Sequence, residues 1–208
     1  MRQRLPAAAV SSEEVVGGTV LDEDWYAAEL AEASWRDCVF REVDLTEAVT
    51  TGCRFTDCTF DRCRFNASVH RGSAFVACTF TDTSFFDATL EGCRLDGSSF
   101  GGCDLRPLTV SGGSWWGVSL RGADLRDQDL SGLRLTEADL TEADLRKTTV
   151  RGSDLSGALL RSARLEGADL REASLVGADL TDAAVRGARL DLAGALALAE
   201  SLGAVVDA

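Results

Sequence analysis

The chain has 208 residues, with 34 Asp and Glu against 21 Lys and Arg, a formal charge of −13 and a pI near 4.5. That balance argues against direct contact with nucleic acid or an anionic membrane surface, because phosphates need Lys and Arg to neutralise them. It leaves a basic protein partner, or solubility alone, as the use of the charge. No apolar run is long enough for a membrane span, and the Ala-rich start is too short for a signal peptide, so a soluble, cytoplasmic protein is expected.

Residues 1–20 contain Pro6, Ser11-Ser12, Glu13-Glu14 and Gly17-Gly18, a composition that predicts a mobile N-terminal extension. From Trp25 a large residue then returns at every fifth position. The series runs through Leu30, Trp35, Phe40, Leu45, Phe55, Phe60, Phe65, Phe75, Phe80 and Phe85 to Phe100. It continues from Leu105 to Leu190 with no insertion, giving 34 in-phase positions. The second half repeats Ala-Asp-Leu, as in Ala123-Asp124-Leu125, Ala143-Asp144-Leu145 and Ala178-Asp179-Leu180. A fixed short period is the signature of a solenoid, and five fits neither the helical 3.6 nor the strand 2.0.

If each five-residue unit forms one side of a square coil, twenty residues complete a turn and coils stack about 4.8 Å apart. The central residue and the residue two before it then point inward, and the other three point out. A narrow interior explains the small residue two before the centre, and Gly two after the centre marks a corner of unusual φ. Residues 21–190 are thus expected to form an all-β solenoid. The expected length, at about 4.8 Å per coil, is about 40 Å.

All seven Cys fall two before a centre, where a small apolar residue is required, so reduced structural thiols are expected rather than disulfides or a metal site. His70 is a centre and reads as a core histidine hydrogen-bonded to backbone. Pro107 interrupts the backbone pattern and predicts a bend or a cis peptide. Phe86 and Trp116 follow a centre and should face solvent, where they are candidate partner contacts. No nucleophile, base and orienter converge, so no enzyme activity, cofactor or catalytic residue is expected.

Sorting charge by face pairs Asp104, Asp124 and Asp144 with Arg106, Arg126 and Arg146. The faces centred on Leu130 and Leu140 carry Asp129, Asp139, Glu142, Asp169, Glu172, Asp179 and Asp182, with Glu137 between them and fewer cations interleaved. These acids are the candidate recognition surface. Residues 191–208 predict a helical cap with Asp191 as N-cap. Leu192, Leu196, Ala199 and Leu202 are expected to cover the end of the solenoid, leaving Leu198, Val205 and Val206 for a second copy.

The repeat resembles the pentapeptide repeat family, whose fold is a right-handed quadrilateral β-helix. Beyond the repeat, His70-Arg71-Gly72-Ser73-Ala74-Phe75, Cys78-Thr79-Phe80, Leu105-Arg106-Pro107-Leu108-Thr109, Asp144-Leu145-Arg146-Lys147 and the Ala-rich terminal helix resemble its MfpA-type branch, related to the Qnr proteins. The resemblance implies a homodimer joined through the C-terminal segments, imitating duplex DNA and binding DNA gyrase or topoisomerase IV to protect it from fluoroquinolones. The alternative it leaves is an interaction scaffold with a non-topoisomerase partner.

Overall fold

The computed structural model describes residues 14–206, so most of the expected N-terminal extension lies outside the described residues. The chain forms two compact units, residues 1–109 and 110–208. Both are built from parallel pairings between residues twenty apart, so each is a stack of four-pentapeptide coils and the fold is a parallel β-solenoid.

In the first unit, three of the four coil faces are short strands. Val15–Val16, Ser34–Arg36, Arg54–Thr56 and Ala74–Val76 make one sheet. Thr19–Leu21, Val39–Arg41, Thr59–Asp61, Thr79–Thr81 and Ser99–Gly101 make the second, and the third contains Glu29–Ala31, Val49–Thr51, Val69–Arg71 and Ala88–Glu91. The fourth face is joined only by single bridges at Asp24, Asp44, Arg64, Ser84 and Asp104.

The solenoid therefore begins earlier than the boundary at residue 21 expected from composition. Val15 pairs with Trp35 and Val20 with Phe40, and Val20 is buried. Both valines are in phase with the later centres. Gly17, which suggested a flexible link, is a left-handed corner with φ 70°.

Inside the first unit the centres stack ring on ring. Phe40, Phe60, Phe80 and Phe100 form one column with centroids 4.7–4.8 Å apart and planes within 8°. Trp35, Phe55 and Phe75 form another. Neighbouring columns meet edge to face, as Phe55 meets Phe60 at 68°, an arrangement that adds to the apolar burial. His70 interrupts this core, and its partners are hydroxyls, not the expected backbone groups. Ser68 Oγ donates to the Phe65 carbonyl, so it accepts from His70 Nε2; Thr50 Oγ1 then donates to Nδ1, at 2.7 Å. Burial pushes the His70 pKa down to about 3, so the ring is neutral, and its Nε2–H tautomer fits both hydroxyl partners. The Arg106–Pro107 bond near the end of the unit is cis, as its sequence position suggested.

The second unit makes single bridges at the residue before each centre, from Ser114↔Arg134 to Asp169↔Arg189. Its centres are Leu apart from Val110, Trp115, Val150 and Val185, and most of its corners are hydrogen-bonded turns. The Ala143 N–H donates to the Leu140 carbonyl at 3.0 Å, and Leu145–Thr148 and Leu155–Ala158 repeat the bond. With a left-handed residue at the third position, these are type II turns.

One helix, Leu192–Ser201, follows the last coil, with Asp191 as its N-cap at 2.9 Å from the Gly194 N–H. Its side chains stand in for the carbonyls that a further coil would supply. Asp191 Oδ2 accepts from the Glu172 N–H and Ser201 Oγ from the Leu180 N–H. The face laid on the coil is not the expected leucine stripe. Leu192, Leu196 and Leu202 are exposed, whereas Gly194 is buried and Ala197, Leu198, Ala199 and Ser201 are half-buried. A Cβ on Gly194 would lie 3.0 Å from Leu190, so the small face allows the helix its close seat.

Candidate interaction surface

Each coil offers three outward positions, and backbone hydrogen bonding decides what they can do. In a turn-type corner the central carbonyl is taken by the N–H three residues on. The N–H one after the centre then needs another acceptor, since unpaired backbone groups are costly. The Asp before the centre supplies it. Among the described residues all ten Asp at this position accept that bond, at 2.9–3.3 Å: Asp24, Asp44, Asp104, Asp124, Asp129, Asp139, Asp144, Asp154, Asp169 and Asp179. The recurring Asp of Ala-Asp-Leu is a backbone clamp.

Four of the candidate recognition acids, Asp129, Asp139, Asp169 and Asp179, are therefore clamps. Arginines also engage more of the acidic faces than their sequence suggested. Asp169 is gripped by Arg171 at 2.8 and 2.6 Å, which holds its carboxyl below the usual range. Asp179 meets the Thr181 hydroxyl and backbone and Arg161, which together hold it at about 2. Arg121 reaches Glu142 at 3.2 Å and Asp139 at 4.0 Å, and Arg151 pairs with Glu172. The expectation that these faces carry few interleaved cations is corrected. The physical reason is stacking: residues about twenty apart in sequence lie on the same face one coil apart, so Arg161 meets Asp179 across eighteen residues.

Asp129, Glu137 and Asp182 have no ion pair within the described residues. Glu137, Glu142 and Asp182 share another property. They occupy corners two after the centre, with φ of 58°, 62° and 58°, where glycine is the residue without a steric penalty. Among the described residues nineteen that are not glycine adopt such left-handed corners, of which thirteen are Asp or Glu and two are Arg62 and Lys147. Eight of the thirteen are in the first unit: Asp22, Glu32, Asp37, Glu42, Glu47, Asp57, Asp82 and Asp87. Sequence reasoning passed over these eight. The signal was present, since acids in phase with Gly52, Gly72 and Gly92 stand where φ must be positive.

Of the remaining candidates, Phe86 and Trp116 are exposed as expected. His70 and the apolar side of the first unit are sealed, and the seven Cys are free thiols. Among the described residues no helix is long and apolar enough to cross a membrane. Val205 and Val206 are exposed beside Leu202 at the C-terminal end.

A family model described as pentapeptide repeats matches residues 26–62, 119–157 and 153–191, as eight copies. Among solved structures, a trypsin-treated variant of QnrB1, a plasmid-mediated fluoroquinolone resistance protein, is similar at 20% identity. It covers 94% of this chain and 100% of that one, with a TM-score of 0.57. Full-length QnrB1 is similar at 20% identity over 92% and 99% of the two chains, with a TM-score of 0.55. Identity at this level is a likeness of fold. No curated protein sequence matches the chain.

Proposed function

From the premise that the chain belongs to the pentapeptide repeat family, we propose that it is a non-enzymatic cytoplasmic protein that binds DNA gyrase, or topoisomerase IV, by imitating duplex DNA and shields it from quinolone-type inhibitors. The observation that carries this reading is the choice of Asp and Glu at thirteen of the nineteen left-handed corners that are not glycine among the described residues. Those side chains cost backbone strain of order 1 kcal/mol each and are not needed by the coil, which accepts Gly at equivalent corners. Carboxylates that the fold does not require are suited to a basic DNA-binding surface. Within the proposed surface Glu137, Glu142 and Asp182 make the partner contacts, with Asp139 and Asp179 holding the corners of Glu142 and Asp182, and Asp129 and Asp169 the neighbouring corners at Gly132 and Glu172. The likeness to QnrB1 adds support at the level of fold. Exposed Leu192, Leu196, Leu202 and Val205 would join two copies.

The test is a gyrase supercoiling and quinolone-cleavage assay with purified protein. Inhibition of supercoiling or loss of drug-induced cleavage supports the proposal; no effect at large molar excess rejects it. The arginine pairing of Asp139, Glu142, Asp169 and Asp179 favours a second reading, an interaction scaffold whose partner is a smaller basic surface elsewhere. Capture of a different basic protein, with no topoisomerase effect, would select it.

A further inference from the structure

Cys38, Cys58 and Cys78 occupy the same inward slot in three successive coils of the first unit, and the strands that follow them are in register, Val39 with Thr59 and Thr59 with Thr79. Their thiols also share one orientation. Each reaches the carbonyl two residues before it in its own coil, Arg36, Thr56 and Val76 at 3.3, 3.3 and 3.6 Å. Each also reaches the carbonyl twenty-three residues before it in the preceding coil, Val15, Trp35 and Phe55 at 3.6, 3.6 and 3.3 Å. Side chains that repeat with the same partners repeat at the spacing of the coils, which on this face separates the Phe40, Phe60 and Phe80 rings by 4.7 and 4.8 Å. The three sulfurs therefore form a row with gaps of about 4.8 Å. The other four cysteines lack such a neighbour, because Ser73 separates Cys53 from Cys93 and Thr83 separates Cys63 from Cys103.

Such a gap is too wide for a sulfur–sulfur bond of about 2 Å, but it matches two metal–thiolate bonds of about 2.3 Å laid end to end. The geometry points to a two-coordinate metal site in which Cys58 and one stacked neighbour, Cys38 or Cys78, hold a soft divalent cation of linear preference, of the mercuric type. Cys58 borders both gaps, so the row takes one ion.

Thiolates select soft cations, and charge selects among these. Two S–H bonds break, two metal–sulfur bonds form and two protons pass to solvent, with no electron transferred. Two thiolates on a doubly charged ion make a neutral complex, which a sealed interior tolerates; a singly charged ion such as Cu(I) would leave a buried negative charge. A tetrahedral ion such as Zn(II) needs four ligands, and among the described residues no three His, Cys, Asp or Glu side chains are grouped to hold one. All three thiols are buried, so the ion enters through brief opening of the coils.

The test is to warm the full chain with one equivalent of Hg(II) to just below its unfolding midpoint, cool it, and challenge it with a large excess of reduced glutathione. A lone protein thiolate surrenders its ion to that excess, whereas two thiolates fixed in line hold it by their effective concentration. The expected result is one Hg(II) per chain by native mass spectrometry after the challenge, and a raised midpoint. Cys58→Ser should retain less than about a tenth as much, and it should fold, since serine fills the equivalent buried slots at Ser73 and Ser98. Cys53→Ser should retain the ion like the parent chain. Loss of Hg(II) from the parent chain to glutathione, or equal retention by Cys58→Ser, would overturn the inference.

Discussion

The two units keep one five-residue phase and satisfy their backbones in two ways. At most corners of the second unit the central carbonyl accepts the N–H three residues on, so Ala suffices at the next inward slot and an Asp often clamps the N–H left over; Leu130 is an exception, its carbonyl taking the Ser153 hydroxyl. In the first, most corners are extended and lack that turn bond. At most of them the inward slot carries Cys, Ser or Thr, and their free central carbonyl is reached by such a residue from the next coil: Cys63 Sγ lies 3.4 Å from Phe40 O, Thr83 Oγ1 3.2 Å from Phe60 O, and Ser98 Oγ, whose own corner is a turn, 2.7 Å from Phe75 O. The hydroxyl also takes the stranded N–H of the coil before, as Thr83 Oγ1 takes that of Cys63 at 3.2 Å. All seven Cys stand at corners without the turn bond. The pairing of residue type with corner type teaches that the small inward residue is chosen for its donor as well as its size. Rings are the commoner centres on the extended faces, although Trp25, Phe65, Phe85 and Trp115 open turns, and Leu is the commoner centre at the turns of the second unit.

Breaking the first unit at its densest point should have the largest effect. Phe60→Ala removes a ring stacked on both Phe40 and Phe80 and should cost about 3–5 kcal/mol in denaturant unfolding. A loss below about 1 kcal/mol would mean that the ring column does not carry the core.

Next is the histidine of that core. The His70 pKa is about 3 when folded, below the unfolded value near 6.5. Above pH 6.5 neither state binds the proton. As pH falls below that value the unfolded chain takes it up and the folded chain does not, so stability declines from about pH 6.5 towards pH 3, by a few kcal/mol in all. Unfolding followed from pH 7 to pH 4 should show this slope, and His70→Leu should flatten it, whatever its absolute stability. An unchanged slope in the variant would assign the loss to the carboxylates.

The second unit is tested by a clamp. Asp154 accepts from the Ser156 N–H at 3.0 Å and the Thr136 hydroxyl at 3.0 Å. Asp154→Ala should cost about 1–2 kcal/mol and Asp154→Asn less, because the amide oxygen still accepts. Equal stability of all three proteins would remove the clamp from the account. A smaller gain is expected from Val150→Leu, which restores the usual centre beside a narrow apolar void lined by Leu130, Leu145 and Leu170. Thermal unfolding should shift upward by a degree or two.

Phase alone made the coil legible: a period of five, two inward positions and a Gly-rich corner lead directly to the stacking by twenty. It also placed the Cys and His70 inside and Phe86 and Trp116 outside. What it could not deliver was hydrogen bonding across a coil. The Asp of Ala-Asp-Leu looks like surface charge until the orphaned N–H beside it is seen, and Arg161 finds Asp179 only once coils are stacked. The cap was misread because helix periodicity favoured leucines, whereas a flat coil end seats the face of Gly194, Ala197, Leu198 and Ser201. At the other end, Gly17-Gly18 resembled a linker because a glycine corner and a flexible link have the same composition.

The proposed function rests on a separation between acids that build the coil and acids that the coil does not need. Replacing Glu137, Glu142 and Asp182 together by Gly tests it most directly, with affinity for gyrase and thermal midpoint measured on the same preparation. Gly relieves the left-handed corners, so the midpoint should hold or rise, while affinity falls at least about tenfold with the loss of three carboxylates. Affinity equal to that of the parent chain, with the midpoint unchanged, would contradict the account.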